Sequence, residues 1–81
     1  MSEEELFLQQ IGQRIMERRK NLGLTQEALA EKGDVTTQFV SYAEAGKRAM
    51  RPENLLKIAS ALGVSTDYIL TGDIIDKDHL L

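Results

Sequence analysis

Residues 26–45 read QEALAEKGDVTTQFVSYAEA. A short polar break divides this stretch into two segments, each of which contains apolar residues. Thr25 and Thr36 each precede one segment, and a threonine hydroxyl makes a good N-cap because it accepts a hydrogen bond from an unpaired N–H of the first turn. Asp34 lies at the break and is among the few non-glycine residues that tolerate a left-handed backbone. The stretch therefore predicts two short helices, over 26–32 and from Thr36 to about 45, joined by a tight turn.

The apolar residues of this stretch indicate how the two helices pack. Ala30 is small where the helices would cross, so their axes can come close together. Val35, Val40 and Ala43 lie on the inward side of the second helix, and Phe39 is expected to fill space beside Ala43. The spacing of these side chains is that of a core face, and a ligand pocket is not indicated.

An amphipathic helix is predicted upstream, from Leu6 to Leu22. Its apolar residues recur at intervals of three and four, which places them on one helical face. Basic residues gather in its second half, where cations favour the helix C-terminus. These cations either pair with Glu17 and helix-end carbonyls or contact phosphates, and the pattern leaves both readings open. The predicted core face contains Leu6, Phe7, Ile11, Ile15, Met16 and Leu22, and the cations are Arg14, Arg18, Arg19 and Lys20.

Two further helices are predicted downstream. Pro52 suits the first turn of a fourth helix, because the N–H that proline lacks has no partner there. Ser65 is a good cap for a short fifth helix, and Gly63 and Gly72 mark the two helix ends. The apolar residues expected to face the core are Leu55, Leu56, Ile58, Ala59 and Leu62 in the fourth helix, and Tyr68, Ile69 and Leu70 in the fifth.

The length and composition fit one small all-α domain. The 81 residues can enclose a single core, and short connections without an alternating strand pattern predict a compact five-helix fold. We divide the chain into an acidic segment at 1–5, the helical domain at 6–72 and a tail at 73–81. With no cysteine, no basic-then-apolar leader and no long apolar run, the sequence favours the cytoplasm and predicts no membrane association.

The charge distribution bears on the class of partner. The net charge is −3, which counts against a nucleic-acid partner at first sight. Six of the thirteen acids lie in the terminal segments, however, and residues 6–72 hold nine Lys or Arg against seven Asp or Glu. A local basic patch can contact phosphates whatever the global sign.

Three strings in order carry a family resemblance: IGQRIMERRKNLGLTQEALAEK, VTTQFVSYAEAGKR and ENLLKIASALGVSTDYILTG. Together they resemble the lambda-repressor and Cro type of helix-turn-helix domain, over roughly residues 9–72. The resemblance implies that the second and third helices form the helix-turn-helix and that the third lies in the major groove of DNA.

The resemblance also implies which residues would touch DNA. Gln38 offers the paired donor and acceptor that suit adenine, and Thr37 can bond a base or touch a thymine methyl. Gln26 at the start of the second helix would bond a phosphate. The implied base-reading residues are Thr37, Gln38, Ser41 and Tyr42, and the implied phosphate contacts are Gln26, Thr36, Lys47 and Arg48, with Arg14 or Arg18 if the first helix presents them.

Three positions depart from the family pattern. Ala43 stands where a larger Ile or Leu is usual, and Ala45 stands where Asn usually precedes the glycine. Tyr42 replaces a commoner Arg or Gln, which shifts its expected contact from hydrogen bonding toward stacking or apolar contact.

Two functions from different classes follow. The first is a sequence-specific DNA-binding regulator, a repressor that acts as a homodimer on a near-palindromic operator. The second is a protein-interaction module, such as an antitoxin or adaptor, suggested by a pI near 5.0 and by the apolar tail residues Ile74, Ile75, Leu80 and Leu81. His79 and the acids around it lack the spacing of a calcium loop. The sequence shows no catalytic constellation, and we expect neither an enzyme nor a cofactor or metal.

Overall fold

The computed structural model describes residues 1–73. Within that range the regular structure consists of five helices and no strand, as the sequence predicts. The tail residues Ile74, Ile75, His79, Leu80 and Leu81, which bear on the predictions above, lie outside the described residues. The helices are α1 (Glu3–Asn21), α2 (Gln26–Gly33), α3 (Thr37–Ala45), α4 (Pro52–Leu62) and α5 (Thr66–Thr71).

The predicted starts of α2, α3 and α5 are confirmed by their capping hydrogen bonds. The hydroxyls of Thr25, Thr36 and Ser65 each accept from the backbone N–H three residues later, at 3.0 Å. Such caps satisfy donors that have no partner inside the helix. At the turn between α2 and α3, Asp34 has φ 57° and ψ 47°, the left-handed conformation expected for it.

Helix α1 begins at Glu3, three residues before the predicted start at Leu6. Its N-cap is Ser2, whose hydroxyl accepts from the backbone N–H of Glu5 while the Glu5 carboxylate accepts from the N–H of Ser2. This reciprocal capping box, with three glutamates in the first turn, favours the helix N-terminus. The acids at 3–5 therefore form the first turn of α1.

The core lies where α1, α2 and α4 enclose the inner faces of α3 and α5. Four residues predicted to face it are instead exposed: Leu6 by 49%, Phe7 by 45%, Leu22 by 40% and Leu56 by 59%. Periodicity identified the correct stripe of α1, but this helix is about 28 Å long, so its ends extend past the shorter helices that cover its middle. The buried apolar residues are Ile11, Ile15, Leu29, Ala30, Val40, Ala43, Ile58, Ala59, Ala61, Leu62 and Ile69.

Helices α1 and α3 approach closely at Gly12. A Cβ at this glycine would lie 2.5 Å from the carbonyl oxygen of Ala43, closer than real Cβ atoms come to backbone. The small Ala43 and the absence of a side chain at Gly12 therefore let the two helices touch. Phe39 is half-buried and packs against the core, as expected from the small residue beside it. This contact holds α3 against the longest helix of the domain.

No helix within residues 1–73 has the length and apolarity needed to cross a membrane. In the same residues, no three His, Cys, Asp or Glu side chains are grouped as a metal site would require.

Candidate nucleic-acid interface

The outer side of α3 carries the four residues predicted to read bases, Thr37, Gln38, Ser41 and Tyr42, which we call the reading face. Thr37 and Ser41 are four positions apart, as are Gln38 and Tyr42, so the four side chains form two neighbouring stripes on the helix surface. Thr37 and Gln38 are exposed, whereas Ser41 and Tyr42 are half-buried. The inner side of the same helix is buried through Val40 and Ala43. Helix α3 therefore packs against the core with its inner side and leaves the reading face accessible to solvent.

Tyr42 is part of a cluster at the centre of the reading face. Its hydroxyl accepts a hydrogen bond from Gln38 Nε2 at 2.9 Å. Two cations from the following loop lie near its ring, with Lys47 Nζ at 5.9 Å and Arg48 Cζ at 5.7 Å from the centroid. Both distances are within the range of a cation–π interaction. Tyr42 therefore joins Gln38 of the reading face to Lys47 and Arg48, the two expected phosphate contacts after α3, and its own contact with a base stays a prediction.

An open groove of about 310 Å³ lies beside the reading face, between α3 and the start of α4. Sequence reasoning missed the part of this groove contributed by the loop and α4, because no local pattern links those residues to α3. Arg51 and Asn54 add polar groups, and Met50 adds an apolar one. The lining residues are Thr36, Gln38, Phe39, Tyr42, Ala43, Arg48, Ala49, Met50, Arg51 and Asn54.

The first turn of α3 presents backbone donors next to the reading face. The Thr36 hydroxyl caps the N–H of Phe39. The N–H groups of Thr37 and Gln38 have no acceptor among residues 1–73. Free N–H groups at a helix start, together with the helix dipole, favour an anion such as a phosphate.

Gln26 lies at the first position of α2, where the resemblance implies a phosphate contact. Its Nε2 donates to Glu44 Oε1 at 3.1 Å, which ties the start of α2 to α3. The other Nε2 hydrogen and the Oε1 atom stay available, so the side chain is oriented by one hydrogen bond and can still make others.

Arg19 and Glu44 form an ion pair that sequence reasoning missed. Arg19 Nε and Nη2 donate to the two carboxylate oxygens at 2.6 and 2.9 Å, and Nη1 donates to the carbonyl of Leu24 at 2.9 Å. The side chains are only 11% and 4% exposed. The hydrogen bond to Glu44 raises the pKa of Arg19, against the lowering effect of burial, so the guanidinium stays charged. With Gln26, the pair links α1, α2 and α3.

Arg14 and Arg18 lie on a different side of α1 from the residues that meet α3. Arg14 Nη1 donates to the carbonyl of Ile69 at 2.9 Å, and Arg18 Nε donates to the carbonyl of Leu62 at 3.0 Å. These carbonyls lie in the last turns of α5 and α4, where the helix leaves acceptors unpaired. Both arginines therefore make the helix-end contact that was one of the two readings left open, and their contact with phosphate stays a prediction.

Comparisons with known proteins agree with this geometry. A helix-turn-helix family model matches residues 15–69. The chain is 39% identical over 66 residues to repressor protein C2 of Salmonella phage P22, and 36% identical over 69 residues to the HTH-type transcriptional regulator ImmR of Bacillus subtilis. These alignments cover 82% and 85% of the chain but only 31% and 54% of the two relatives. The chain thus spans about a third to a half of their length, and neither relative is named as an enzyme.

Solved structures give the same result. The P22 c2 repressor in complex with a synthetic operator superposes with a TM-score of 0.76 at 40% identity, covering 80% of this chain and 98% of that one. The restriction-modification controller protein C.AhdI of Aeromonas hydrophila gives a TM-score of 0.74 at 35% identity, covering 76% and 94%. The five-helix arrangement, the left-handed turn at Asp34 and these matches together establish that the chain belongs to the helix-turn-helix family, of the lambda-repressor and Cro type.

Proposed function

We propose that this chain is a sequence-specific DNA-binding transcription regulator, a repressor that inserts α3 into the major groove of its operator. The observation that carries the proposal is the reading face, which is polar and accessible on a helix whose opposite side is buried. The operator complex of the P22 c2 repressor, whose structure this chain resembles, supports the same class of partner. Such a regulator would act in the cytoplasm.

Phosphate contacts would come from both ends of the helix-turn-helix. Gln26 and the first turn of α3 at Thr36 present side-chain and backbone groups, while Lys47 and Arg48 add positive charge after α3. Contacts of this kind fix register and orientation on the duplex without carrying sequence information. Arg14 and Arg18 each use one N–H on a carbonyl of α5 or α4, and their remaining N–H donors are available for a phosphate if the duplex reaches this side of α1.

We propose further that the regulator binds as a homodimer to a near-palindromic operator. Two copies related by a two-fold axis would place their α3 helices in successive major grooves, about 34 Å apart. Repression would then follow from occupying DNA that polymerase needs. Sedimentation with and without a selected operator duplex tests this arrangement, and a complex with one copy per duplex would contradict it.

The reading role of Gln38 is tested by the variant Gln38→Ala. Duplexes are first selected from a random pool with the unaltered protein, and affinities are then compared on the best duplex and on unrelated DNA. We expect a loss of about 1–3 kcal/mol on the selected duplex and almost none on unrelated DNA, since only the former depends on base contacts. Gln13→Ala, on the exposed side of α1, is the matched control. An equal loss on both duplexes would show that Gln38 does not read bases.

A second candidate function, a protein-interaction module that keeps the fold, is favoured by one observation. Leu6 and Phe7 are about half exposed near the start of α1. A salt titration with random duplex distinguishes the two functions, because phosphate binding weakens steeply as salt rises. Absence of binding at low salt would favour the adaptor, and both functions can coexist in a protein that regulates its own promoter.

A further inference from the structure

Phe7 is exposed by 45% on the side of α1 that carries Arg14. The two residues are seven positions apart, close to two helical turns, so their side chains lie on one stripe about 10.5 Å apart along the axis. Ile11 lies between them and is buried. The Phe7 ring therefore continues a buried stripe to a point where residues 1–73 give it only partial cover.

The chain after α4 runs along this side of α1 toward the N-terminus of α1. Arg18 donates to the carbonyl of the last residue of α4, and Arg14, one turn earlier in α1, donates to the carbonyl of Ile69 in α5. The chain leaves α5 beside Arg14, since a Cβ built at Gly72 would lie 3.0 Å from Arg14 Nε. Its path therefore progresses from Arg18 to Arg14, in the direction of Phe7.

Two hydrogen bonds hold the chain where it leaves α5. The Thr71 hydroxyl donates to a carbonyl one turn earlier in α5 at 2.8 Å and accepts from the backbone N–H of Asp73 at 3.1 Å. Between them Gly72 has φ 83°, in the left-handed region, which ends the helix. The two residues that follow Asp73 in the sequence are both apolar, Ile74 and Ile75.

We propose that residues 74–75 of this chain pack on Phe7 and cover its exposed ring. Three extended residues, from Gly72 to Ile75, span about 10–11 Å, which matches the distance along α1 from Arg14 to Phe7. Side chains of extended residues alternate in direction, so one isoleucine of the pair contacts the ring. The inference does not depend on the proposed binding to DNA.

The short connection favours this occupant over another copy of the chain. A segment tethered a few residues from its site acts at an effective concentration on the order of millimolar. A second copy at micromolar concentration competes poorly with it. A protein partner that binds Phe7 would have to displace residues 74–75, so this segment would control access to the start of α1.

Nuclear Overhauser effects in the unaltered full chain test the contact directly. We expect them between the Phe7 ring protons and the methyl groups of Ile74 or Ile75 in a uniformly labelled sample. In a mixed sample, some molecules carry labelled phenylalanine and the others labelled isoleucine, so that only contacts between copies are detected, and there the same effects should be absent. Their appearance in the mixed sample would assign the ring to a second copy. That result, or their absence from both samples, overturns the inference.

Urea denaturation of substituted chains gives a second readout. Ile74→Ser with Ile75→Ser should raise the equilibrium constant of unfolding about 3- to 10-fold, because burial of the ring exceeds the cost of ordering the segment by a small margin. In a Phe7→Ser background the same pair should change that constant by less than about 2-fold. Leu80→Ser with Leu81→Ser is the matched control and should have no effect. Equal effects in both backgrounds, or equal effects of the two serine pairs, overturn the inference.

Discussion

Glu44 lies at the point where α1, α2 and α3 meet, and its carboxylate serves all three. It accepts two hydrogen bonds from Arg19 of α1 and one from Gln26 of α2. A charge this buried is stable only when it is paired and hydrogen-bonded, and each partner is in turn fixed by it. The Glu44 carboxylate therefore helps to fix the orientation of α3 relative to both α1 and α2.

Glu44→Ala should lower the free energy of unfolding by about 2–4 kcal/mol. The lower part of the range for buried pairs is expected because Arg19 keeps some contact with solvent. Urea denaturation followed by circular dichroism measures the change. Glu31→Ala, at an exposed position of α2, is the control and should cost less than about 0.5 kcal/mol. Equal effects of the two substitutions would show that the ion pair contributes nothing to stability.

Asp34 is the non-glycine residue with positive φ among the described residues. Asp34→Val should destabilise the domain by about 1–2 kcal/mol, because a β-branched side chain is strained in the left-handed region. Asp34→Gly should change the stability by less than about 1 kcal/mol, since glycine adopts this conformation freely but adds entropy to the unfolded chain. Thermal unfolding of both variants provides the measurement. A valine variant as stable as the glycine variant would contradict the argument from backbone strain.

Among the elements, α1 makes the most varied contacts. One side touches α3 at Gly12 and reaches Glu44 through Arg19, and another side binds carbonyls of α4 and α5 through Arg14 and Arg18. The helix therefore supports the reading face although none of its residues belongs to that face. Its packing against α3 depends on how close the two backbones can come.

Gly12→Ala should destabilise the domain by about 1–3 kcal/mol, because the added methyl group overlaps backbone of α3. Alanine favours a helix by about 1 kcal/mol over glycine, so the steric effect has to exceed that gain. Gly33→Ala is the matched control. A Cβ there would make only ordinary contacts, the nearest at 3.6 Å, and we expect unchanged or slightly higher stability. The urea concentration at the midpoint of unfolding is measured for both variants. A Gly12→Ala variant more stable than the unaltered protein would refute the close approach of α1 and α3.

Local features of this fold were predictable and long-range ones were not. The caps at Thr25 and Thr36 and the turn at Asp34 follow from hydrogen bonds and torsions within a few residues. The capping box at Ser2 and Glu5 also had a local signal, the spacing of a serine and a glutamate three residues apart, which the prediction did not use. The pairing of Arg19 with Glu44, 25 residues away, has no such signal. Exposure of Phe7 likewise depends on where the neighbouring helices end, whereas Leu56 is exposed because it lies on the outer side of α4, with Glu53 and Ser60.

The reading face likewise has features that follow from local sequence and features that do not. That Thr37, Gln38, Ser41 and Tyr42 share the outer side of α3 follows from helical spacing alone. The hydrogen bond of Gln38 to Tyr42 and the approach of Lys47 and Arg48 depend on rotamers and on the path of the loop after Gly46. Under the proposed function, we expect these cations to matter more than the net charge of −3, because binding to phosphates depends on charges close to the duplex.

The double variant Lys47→Ala, Arg48→Ala should reduce the salt dependence of duplex binding. The slope of log K against log salt should become shallower by about 2 per protomer, one for each lost phosphate contact. Lys32→Ala, Lys57→Ala removes the same charge from the side of α2 and α4, where both lysines line a shallow groove. Fluorescence anisotropy between about 50 and 200 mM salt gives the slopes. Equal slopes in the two double variants would mean that only the total charge matters.

The hydrogen bonds from Arg14 to Ile69 and from Arg18 to Leu62 join α1 to α5 and to α4, across 55 and 44 residues of chain. During synthesis on the ribosome, α1 leaves the exit tunnel first and has no partner for these arginines until α4 and α5 have followed. The contacts of Arg14 and Arg18 therefore form only after α4 and α5 have been translated, and folding of the domain is completed no earlier.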